Sequence, residues 1–371
     1  MGYLEGFLNR VERIGALDGI RCFAVLLAIG FHANTIWPSV RKSIFPVINS
    51  GFIGVDIFFV LSGFLISGLL LSEFQRTGKI RFSRFFVRRI LRLLPPMAIC
   101  LAVTLAWVIS QGNDIQEFLI GIFGAIFNYF NWLVVLKINY PELLGHLWSL
   151  SVEEQLYVLV AIVFLLISKS GLKTKLPVVL FWTSLLLIAW SVFSRFAAVL
   201  AGWGPELSWE SLHFRTDFRF AEFFFGVVAQ LYKSKHKDVQ TTILKVMQYP
   251  AILFLIYYAT QASLNTNFYY LYGSPILSLS CACVILSSTY EESPLCRFFS
   301  LRVFRSIGRI SYSMYLIHWP IFIMLSQLSL SGPYKFLVAM VFVFIYSIIV
   351  FFLVEKPLER FRHKYLSNYF A

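Results

Sequence analysis

Long apolar segments recur along this sequence, and each is close to the length that crosses a lipid bilayer. Hydrophobic residues make up 58% of the 371 positions and charged residues only 14%. A soluble domain is about half apolar and about a quarter charged, so this composition indicates a membrane protein. A helix needs about 20 apolar residues to span the hydrocarbon core. Segments of this kind lie at about 15–37, 51–71, 93–109, 147–167, 177–200, 217–232, 247–262, 271–289, 307–329 and 335–354.

Basic residues cluster between these segments and predict the orientation of the chain. The stretch from Glu73 to Arg92 holds seven Lys or Arg residues against one acid, and the positive-inside rule puts it in the cytoplasm. Arg10 and Arg13 precede the first segment, so the N-terminus is predicted to be cytoplasmic. Later basic loops and the basic tail predict the same for the C-terminus. The net charge of +13 is therefore accounted for by basic residues that flank the predicted spans, and it need not indicate nucleic-acid binding. The aromatic residues show no pattern of a nucleic-acid module.

The apolar segment from Ile115 to Leu136 does not fit an alternation of outward and inward spans. The segment before it ends outside and the segment after it begins outside, so it cannot cross the membrane once. Gly121, Gly124, Asn128 and Asn131 suit an irregular backbone that lines a cavity. We therefore predict an all-α fold, a polytopic membrane helical bundle with about ten transmembrane helices plus one re-entrant or interfacial segment.

The first apolar segment carries two ionisable residues, Arg21 near its start and His32 near its end. They are eleven positions apart, so on a helix they return to within about 20° of the same face, with a rise of about 16 Å. Ionisable residues inside a membrane helix are costly unless they face protein, water or a ligand. The pair is therefore a candidate functional site. Asp56, inside the second segment, is a third such residue.

The block HLWSLSVEEQLY contains His146, Ser149 and Glu153 at the spacing i, i+3, i+7, which places them on one helix face. The predicted topology puts them near the outer surface. A structural alternative is an ordinary helix start, with Ser149 or Ser151 as the N-cap and Glu153 or Glu154 as the acid of a capping box.

The block RISYSMYLIHWP contains Ser311, Tyr315 and His318 on one face, with Pro320 able to kink the helix. The structural alternative is a buried hydrogen-bonded network that orders helix packing.

Arg89 and Arg92 form an RxxR pair at the inner end of the third segment. Two guanidinium groups suit a diphosphate or nucleotide phosphate, because each presents a fixed fork of donors. The alternative is a purely topological role with contacts to lipid headgroups. The sequence contains no Gly-rich phosphate loop, no HExxH and no GxSxG, and we predict no metal site.

Taken in order, these blocks resemble the acyltransferase-3 family, the bacterial integral-membrane O-acyltransferases of the lipopolysaccharide or polysaccharide O-acetyltransferase type. The resemblance rests on five blocks, RIGALDGIRCFAVLLAIGFH, GFIGVDIFFVLSGFLI, FVRRILRLLPP, HLWSLSVEEQLY and RISYSMYLIHWP. It implies transfer of an acyl group, usually acetyl from acetyl-CoA, across the inner membrane to a hydroxyl of an extracytoplasmic glycan.

The resemblance also implies roles for matching residues. His32 and Arg21 match residues regarded as essential, Arg89 and Arg92 match the pair that would hold CoA, and Glu153 matches the acid of its block. Some relatives carry a C-terminal extracytoplasmic esterase-like domain. For this chain we expect a single membrane-embedded acyltransferase domain over 1–371 and no such additional domain.

We therefore expect a membrane O-acetyltransferase in the bacterial inner membrane, with acetyl-CoA, a glycan or lipid-linked glycan, and membrane lipid as partners. His32 would act as general base or as transient acyl carrier, with Asp56 or Glu153 as the acid that orients it. The alternative is a proton-coupled transporter or permease in which Arg21, His32, Asp56 and Glu153 line a polar pathway. The RxxR pair favours the enzyme, because a CoA site needs it and a proton-coupled carrier does not.

Overall fold

The computed structural model describes residues 14–44, 50–112, 115–202, 211–236, 240–264 and 266–366. Within these ranges the chain is a bundle of α-helices and contains no β-strand. Short 3₁₀ and π turns lead into or out of several of the helices. The α-helices are α1 Gly15–Ile36, α2 Pro38–Ser43, α3 Ile53–Thr77, α4 Phe82–Ser110, α5 Ile115–Ile126, α6 Phe130–Val135, α7 Trp148–Lys169, α8 Leu176–Leu200, α9 Phe220–Lys235, α10 Thr242–Gln261, α11 Ser274–Ser287, α12 Pro294–Phe299, α13 Arg302–Arg309, α14 Ser311–Ser326, α15 Gly332–Val350 and α16 Lys356–Leu366.

The predicted all-α polytopic bundle is confirmed. Eight helical stretches in the described residues are long and apolar enough to cross a membrane. Two other predicted spans correspond to α9 and α14, which have 16 residues each. The eight stretches are Gly15–Ile36, Ile53–Thr77, Phe82–Ser110, Glu142–Lys169, Leu176–Leu200, Thr242–Gln261, Tyr269–Ser287 and Gly332–Arg362.

The segment predicted to be re-entrant or interfacial forms two short helices, α5 with 12 residues and α6 with 6. Each is shorter than the about 20 residues that a span requires. The chain turns between them at Asn128, which has a φ of 57°. Asparagine is among the few residues that tolerate this left-handed conformation, so its presence explains why the apolar segment breaks here.

The basic stretch from Glu73 to Arg92, which lies between two predicted spans, is mostly helical. Helix α3 continues to Thr77, the chain turns at Gly78 with a φ of 66°, and α4 begins at Phe82. The length of an apolar segment shows only the part of a helix that lies in lipid. The helical backbone continues beyond it, because long Arg side chains can extend from the helix to water.

Two further predicted boundaries also differ. The predicted span at 307–329 is divided at Ile310, so α13 ends at Arg309 and α14 begins at Ser311. The predicted capping role of Ser149 or Ser151 is wrong, because a 3₁₀ turn at Glu142–Leu147 leads directly into α7 and its N-cap, Leu147, makes no side-chain cap.

Helices α3 and α9 approach each other so closely that their backbones are nearly in contact. A Cβ built on Gly63 would lie 1.9 Å from the carbonyl oxygen of Phe223, and one built on Gly226 would lie 1.9 Å from that of Val60. Small residues permit this approach, which is a common basis of helix association in membranes. The contact fixes α3, and thereby the position of the polar residues that α3 carries.

Replacing Gly63 by Leu is expected to destabilise the folded bundle by about 3 kcal/mol, because the new side chain would overlap the α9 backbone. Thermal unfolding of the purified protein in detergent measures the change. Gly171→Leu is the matched control, since no atom lies within 4 Å of a Cβ at that position. Equal melting temperatures for the two variants would contradict the close α3–α9 contact.

Candidate active site

Three histidines from separate parts of the chain meet inside the bundle. His32 lies near the end of α1, His146 in the 3₁₀ turn before α7, and His318 in the middle of α14. The ring centroids of His32 and His318 are 5.0 Å apart and those of His146 and His318 are 5.4 Å apart. The structure thus joins three of the predicted sequence blocks at one place, which we call the histidine cluster, formed by His32, His146 and His318.

The hydrogen bonds of His318 determine which nitrogen of each ring carries a proton. His318 Nδ1 lies 2.6 Å from the carbonyl oxygen of Tyr315, which can only accept, so Nδ1 donates. In a neutral ring Nε2 is then an acceptor, and it lies 2.7 Å from His32 Nδ1. His32 Nδ1 therefore donates to His318, and His32 Nε2 keeps its lone pair. A nitrogen of this kind can accept a proton or attack an acyl carbon.

Trp319 positions the His32 ring from a second direction. The two ring centroids are 4.8 Å apart in an edge-to-face arrangement. The indole nitrogen of Trp319 donates to the carbonyl oxygen of Glu142 at 2.7 Å, which holds the indole in place. Such packing restricts the rotation of His32, so its free nitrogen keeps one direction.

His146 is fixed by a backbone carbonyl that Pro320 leaves free. Proline has no N–H, so Pro320 cannot donate the helical hydrogen bond to the carbonyl of Leu316. That oxygen instead lies 2.9 Å from His146 Nε2 and 3.3 Å from Cys100 Sγ. The prediction that Pro320 alters α14 thus has a specific structural consequence, because the released carbonyl binds a ring of the histidine cluster.

A polar face of α7 continues from the histidine cluster toward the predicted cytoplasmic side. Ser149 Oγ lies 2.7 Å from the hydroxyl of Tyr315. One turn further, Glu153 accepts hydrogen bonds from Ser62 of α3 and from Tyr157. Glu153 therefore lies beneath the histidine cluster and binds hydroxyl groups rather than His32.

The basic residues of the predicted donor site lie on α4 and α1. Arg89 forms an ion pair with Glu154, with 3.2 Å between Nη2 and Oε1, and its guanidinium lies 3.5 Å from the ring centroid of Tyr157. Arg92 interacts electrostatically with Glu153. These residues form a group at the end of the polar face of α7 that is remote from the histidine cluster.

Arg21 lies at the other end of α1 from His32. Its Nη1 is 3.2 Å from Asp18 Oδ1, and Arg309 Nε is 3.8 Å from Asp18 Oδ2. Three residues after Arg309, the hydroxyl of Tyr312 donates to the carbonyl of Leu93 at 2.8 Å. The N-terminal end of α14 is therefore bordered by two groups of arginines. One consists of Arg89 and Arg92, and the other of Arg21 and Arg309.

Asp56 does not orient His32. Arg219 Nη1 donates to Asp56 Oδ1 at 2.9 Å, and the hydroxyl of Tyr269 donates to Oδ2 at 2.8 Å. In the described residues His32 bonds to His318, and neither Asp56 nor Glu153 contacts it. The predicted orienting acid is therefore replaced by a second imidazole and a backbone carbonyl.

Asp56 belongs to a second buried polar network that sequence reasoning missed. Glu222 Oε1 lies 3.3 Å from Nη1 of Arg195 and also 3.3 Å from Nη1 of Arg219, so two acids balance two guanidinium groups. His213 Nδ1 lies 2.7 Å from Arg219 Nη2. Burial and the adjacent Arg219 charge hold the pKa of His213 well below its usual range, so it accepts as a neutral ring. The sequence does contain a signal for this network, because Arg195, Arg219 and Glu222 are charged residues inside apolar segments.

Ser311, the remaining predicted site residue, is buried at the start of α14, one turn before Tyr315. The polar residues that adjoin the histidine cluster are instead Tyr315 and Ser149. Within the described ranges no group of three or more His, Cys, Asp or Glu side chains has an arrangement that could hold a metal ion.

A profile described as "Acyltransferase domain", that of the acyltransferase-3 family, matches residues 14–356. The chain therefore belongs to this family of acyltransferases, and the resemblance of the five blocks is confirmed. Together with the apolar helices, membership makes it a multi-pass membrane protein.

Curated relatives carry O-acetyltransferase names. The chain is 27% identical over 384 residues to "Putative O-acetyltransferase SACOL0978" of Staphylococcus aureus strain COL, covering 97% of this chain and 60% of the relative. It is 28% identical over 366 residues to "O-acetyltransferase OatA" of Staphylococcus aureus strain NCTC 8325, covering 93% of this chain and 57% of the relative. The chain thus spans about 60% of the length of these relatives. No solved structure matches the chain.

Replacing Arg219 by Leu is expected to destabilise the bundle by about 3–5 kcal/mol, because it leaves the carboxylates of Asp56 and Glu222 buried without their shared partner. Arg215→Leu is the matched control. It removes a nearby ion pair, Arg215–Asp217, that is partly exposed, and about 1 kcal/mol or less is expected there. Thermal unfolding in detergent distinguishes the two, and a similar small loss in both variants would show that the buried network is dispensable.

Proposed function

We propose that this acyltransferase is a membrane O-acetyltransferase that moves an acetyl group from cytoplasmic acetyl-CoA to a hydroxyl of an extracytoplasmic glycan, a lipopolysaccharide O-antigen or another surface polysaccharide. The observation that carries the proposal is the hydrogen-bond chain from the Tyr315 carbonyl through His318 to His32, which leaves a lone pair on His32 Nε2. Membership of the family and the names of the relatives support the reaction class.

In this proposal His32 Nε2 removes the proton of the acceptor hydroxyl. The hydroxyl oxygen attacks the thioester carbon of acetyl-CoA at the same time. The carbon–sulfur bond breaks, CoA leaves as the thiolate, and His32 returns the proton to the sulfur. The products are the acetyl ester and CoA. His318 stabilises the transiently protonated His32, because it accepts the Nδ1 hydrogen at 2.7 Å.

The other route open to His32 is a covalent one. Nε2 attacks the thioester carbon, the carbon–sulfur bond breaks, CoA leaves as the thiolate and an acetyl-imidazolium forms. The glycan hydroxyl then attacks the acetyl carbon, the carbon–nitrogen bond breaks, and the hydroxyl proton passes to the thiolate, so the products are again the acetyl ester and CoA. The same lone pair serves either route, because the hydrogen bond to His318 occupies only Nδ1.

The donor is proposed to bind through Arg89, Arg92 and Arg21. The guanidinium groups would contact the phosphates of acetyl-CoA, and the polar face of α7 would guide the acetyl end toward the histidine cluster. From Glu154 to His146 that face rises about 12 Å, so the donor's extended arm has the length to connect the two groups. The ion pair of Arg89 with Glu154 would rearrange when phosphate binds.

We further propose that residues 1–371 act as one membrane-embedded domain in the bacterial inner membrane, with both termini in the cytoplasm. The basic groups on α4 and around Arg309 support this orientation through the positive-inside rule. Arg10 and Arg13, on which the predicted position of the N-terminus depends, lie outside the described residues.

The transporter alternative has less support. Its proposed pathway requires Asp56 to share a route with His32, whereas Asp56 is bound within a network of balanced charge with Arg219 and Tyr269. That arrangement is typical of a structural network, and among the described residues the partner of His32 is His318 rather than an acid.

Replacing His32 by Ala is expected to reduce acetyl transfer about 100-fold or more, the range of a positioned general base. His318→Leu removes the acceptor for His32 Nδ1 and is expected to cost about tenfold, since orientation of the ring is lost. His318→Gln should retain more activity, because its amide oxygen can accept the same hydrogen. CoA release from acetyl-CoA and acetyl incorporation into glycan, measured with protein in lipid nanodiscs, report these changes.

Thr35→Ala is the control for these variants, since Thr35 is exposed on the same end of α1 and its hydroxyl donates to the carbonyl of Phe31 in its own helix. Full activity of a correctly inserted His32→Ala protein would overturn the proposed role of His32. Equal activities of His318→Leu and His318→Gln would remove the orienting role of His318.

Replacing Arg89 by Gln is expected to raise the KM for acetyl-CoA about tenfold, because one charge-assisted contact to phosphate is lost. Glu154→Gln removes the carboxylate that competes for Arg89, so its KM should be unchanged or lower. Arg81→Gln, which removes an exposed charge from the same basic stretch, controls for the general electrostatic effect. Equal loss of thermal stability in both site variants, with unchanged KM, would show that the ion pair serves only folding.

A further inference from the structure

His146 is buried and held on one side only. Its residue surface is 3% exposed, and Nε2 lies 2.9 Å from the Leu316 carbonyl that Pro320 leaves free. Because a carbonyl can only accept, Nε2 carries the proton. Burial without an opposing charge favours the neutral ring, so Nδ1 of His146 carries a lone pair.

That lone pair has no hydrogen-bond partner within the part of the chain that the structure describes. A buried acceptor without a donor is costly, and proteins keep such atoms mainly where a ligand or water supplies the missing hydrogen. The atom therefore points to a group that binds here and donates a hydrogen bond.

The position of the lone pair limits what that group can be. The His146 ring is 5.4 Å, between centroids, from the His318 ring, whose Nε2 binds His32. His146 thus lies next to the ring that binds the proposed base, and at the predicted outer end of the polar face of α7. The donor's phosphates would bind at the opposite end, near Arg89, so the acceptor substrate is the group that reaches His146.

We infer that His146 Nδ1 accepts a hydrogen bond from a second hydroxyl of a polyhydroxylated acceptor, adjacent to the hydroxyl that is acetylated. This inference rests on the proposed function, in which His32 takes the proton of the attacking hydroxyl. His146 forms no covalent bond and transfers no proton. It selects which hydroxyl of a sugar faces His32, because a sugar ring carries neighbouring hydroxyls and only one orientation satisfies both histidines.

Two substitutions separate the acceptor atom of His146 from its anchoring atom. In His146→Gln the amide nitrogen takes the place of Nε2 and can still donate to the Leu316 carbonyl, but the acceptor at Nδ1 is lost. In His146→Asn the amide oxygen takes the place of Nδ1, and the contact with Leu316 is lost instead. Cys100→Ala removes the other group on the same carbonyl and leaves Nδ1 untouched.

The test uses cells that produce the full chain and measures by NMR which hydroxyls of their surface glycan carry acetyl. With His146→Gln we expect about tenfold less acetyl at the wild-type position and a rise at neighbouring hydroxyls, with the KM for acetyl-CoA unchanged in nanodiscs. His146→Asn should keep the wild-type position at a lower yield. Cys100→Ala should keep the wild-type ratio of positions.

The outcomes distinguish this inference from the proposed function. If the surface glycan carries no more acetyl in cells that produce the wild-type protein than in cells that lack it, the proposed function itself is overturned. Wild-type acetylation with an unchanged amount and pattern in His146→Gln would overturn only the role of His146 and indicate water at Nδ1. A raised KM for acetyl-CoA with an unchanged pattern would also overturn it, because the donor would then be the group bound by His146.

Discussion

The histidine cluster depends on the missing N–H of Pro320, which leaves the carbonyl of Leu316 without its helical hydrogen bond. The released carbonyl of Leu316 binds His146, and one turn of the same helix supplies the carbonyl of Tyr315 to His318. A backbone carbonyl can only accept, so both rings are held in a single tautomer by backbone oxygens rather than by a carboxylate. In a membrane interior this solution avoids burying a charge, whose desolvation would be costly. Helix α14 is therefore both a structural element and the source of the site's proton arrangement.

The bundle separates its polar groups into two centres with different chemistry. The histidine cluster is built from neutral rings and hydroxyls and leaves lone pairs unused. The network of Asp56, Arg195, Arg219 and Glu222 pairs two acids with two bases. Because α3 carries both Asp56 and Ser62, the charged network fixes the helix whose serine hydroxyl binds Glu153. The charged network thus holds α3 in position for the candidate active site, although it makes no contact with His32 in the described residues.

Much of this could be predicted from the sequence, because apolar segment length and charge position act locally. The helical class, the broken segment at 115–136 and the blocks around His32, His146 and His318 all follow from residue type and spacing. Spacing along one helix also placed Ser149 and Glu153 on one face of α7. It could not reveal that Ser62 binds Glu153, since that contact depends on how α3 and α7 cross.

The sequence by itself determined the membrane fold and the residues that carry unusual chemistry, because bilayer thickness and the cost of buried charge constrain any chain of this composition. Only the tertiary structure decided which of these residues meet. Arg219 and Tyr269 bind Asp56, one of the two acids that the sequence left open as a partner for His32, and His32 bonds to His318 instead. The physical reason is that charge pairing and hydrogen bonding act across helices, whereas periodicity reports only the face of a single helix.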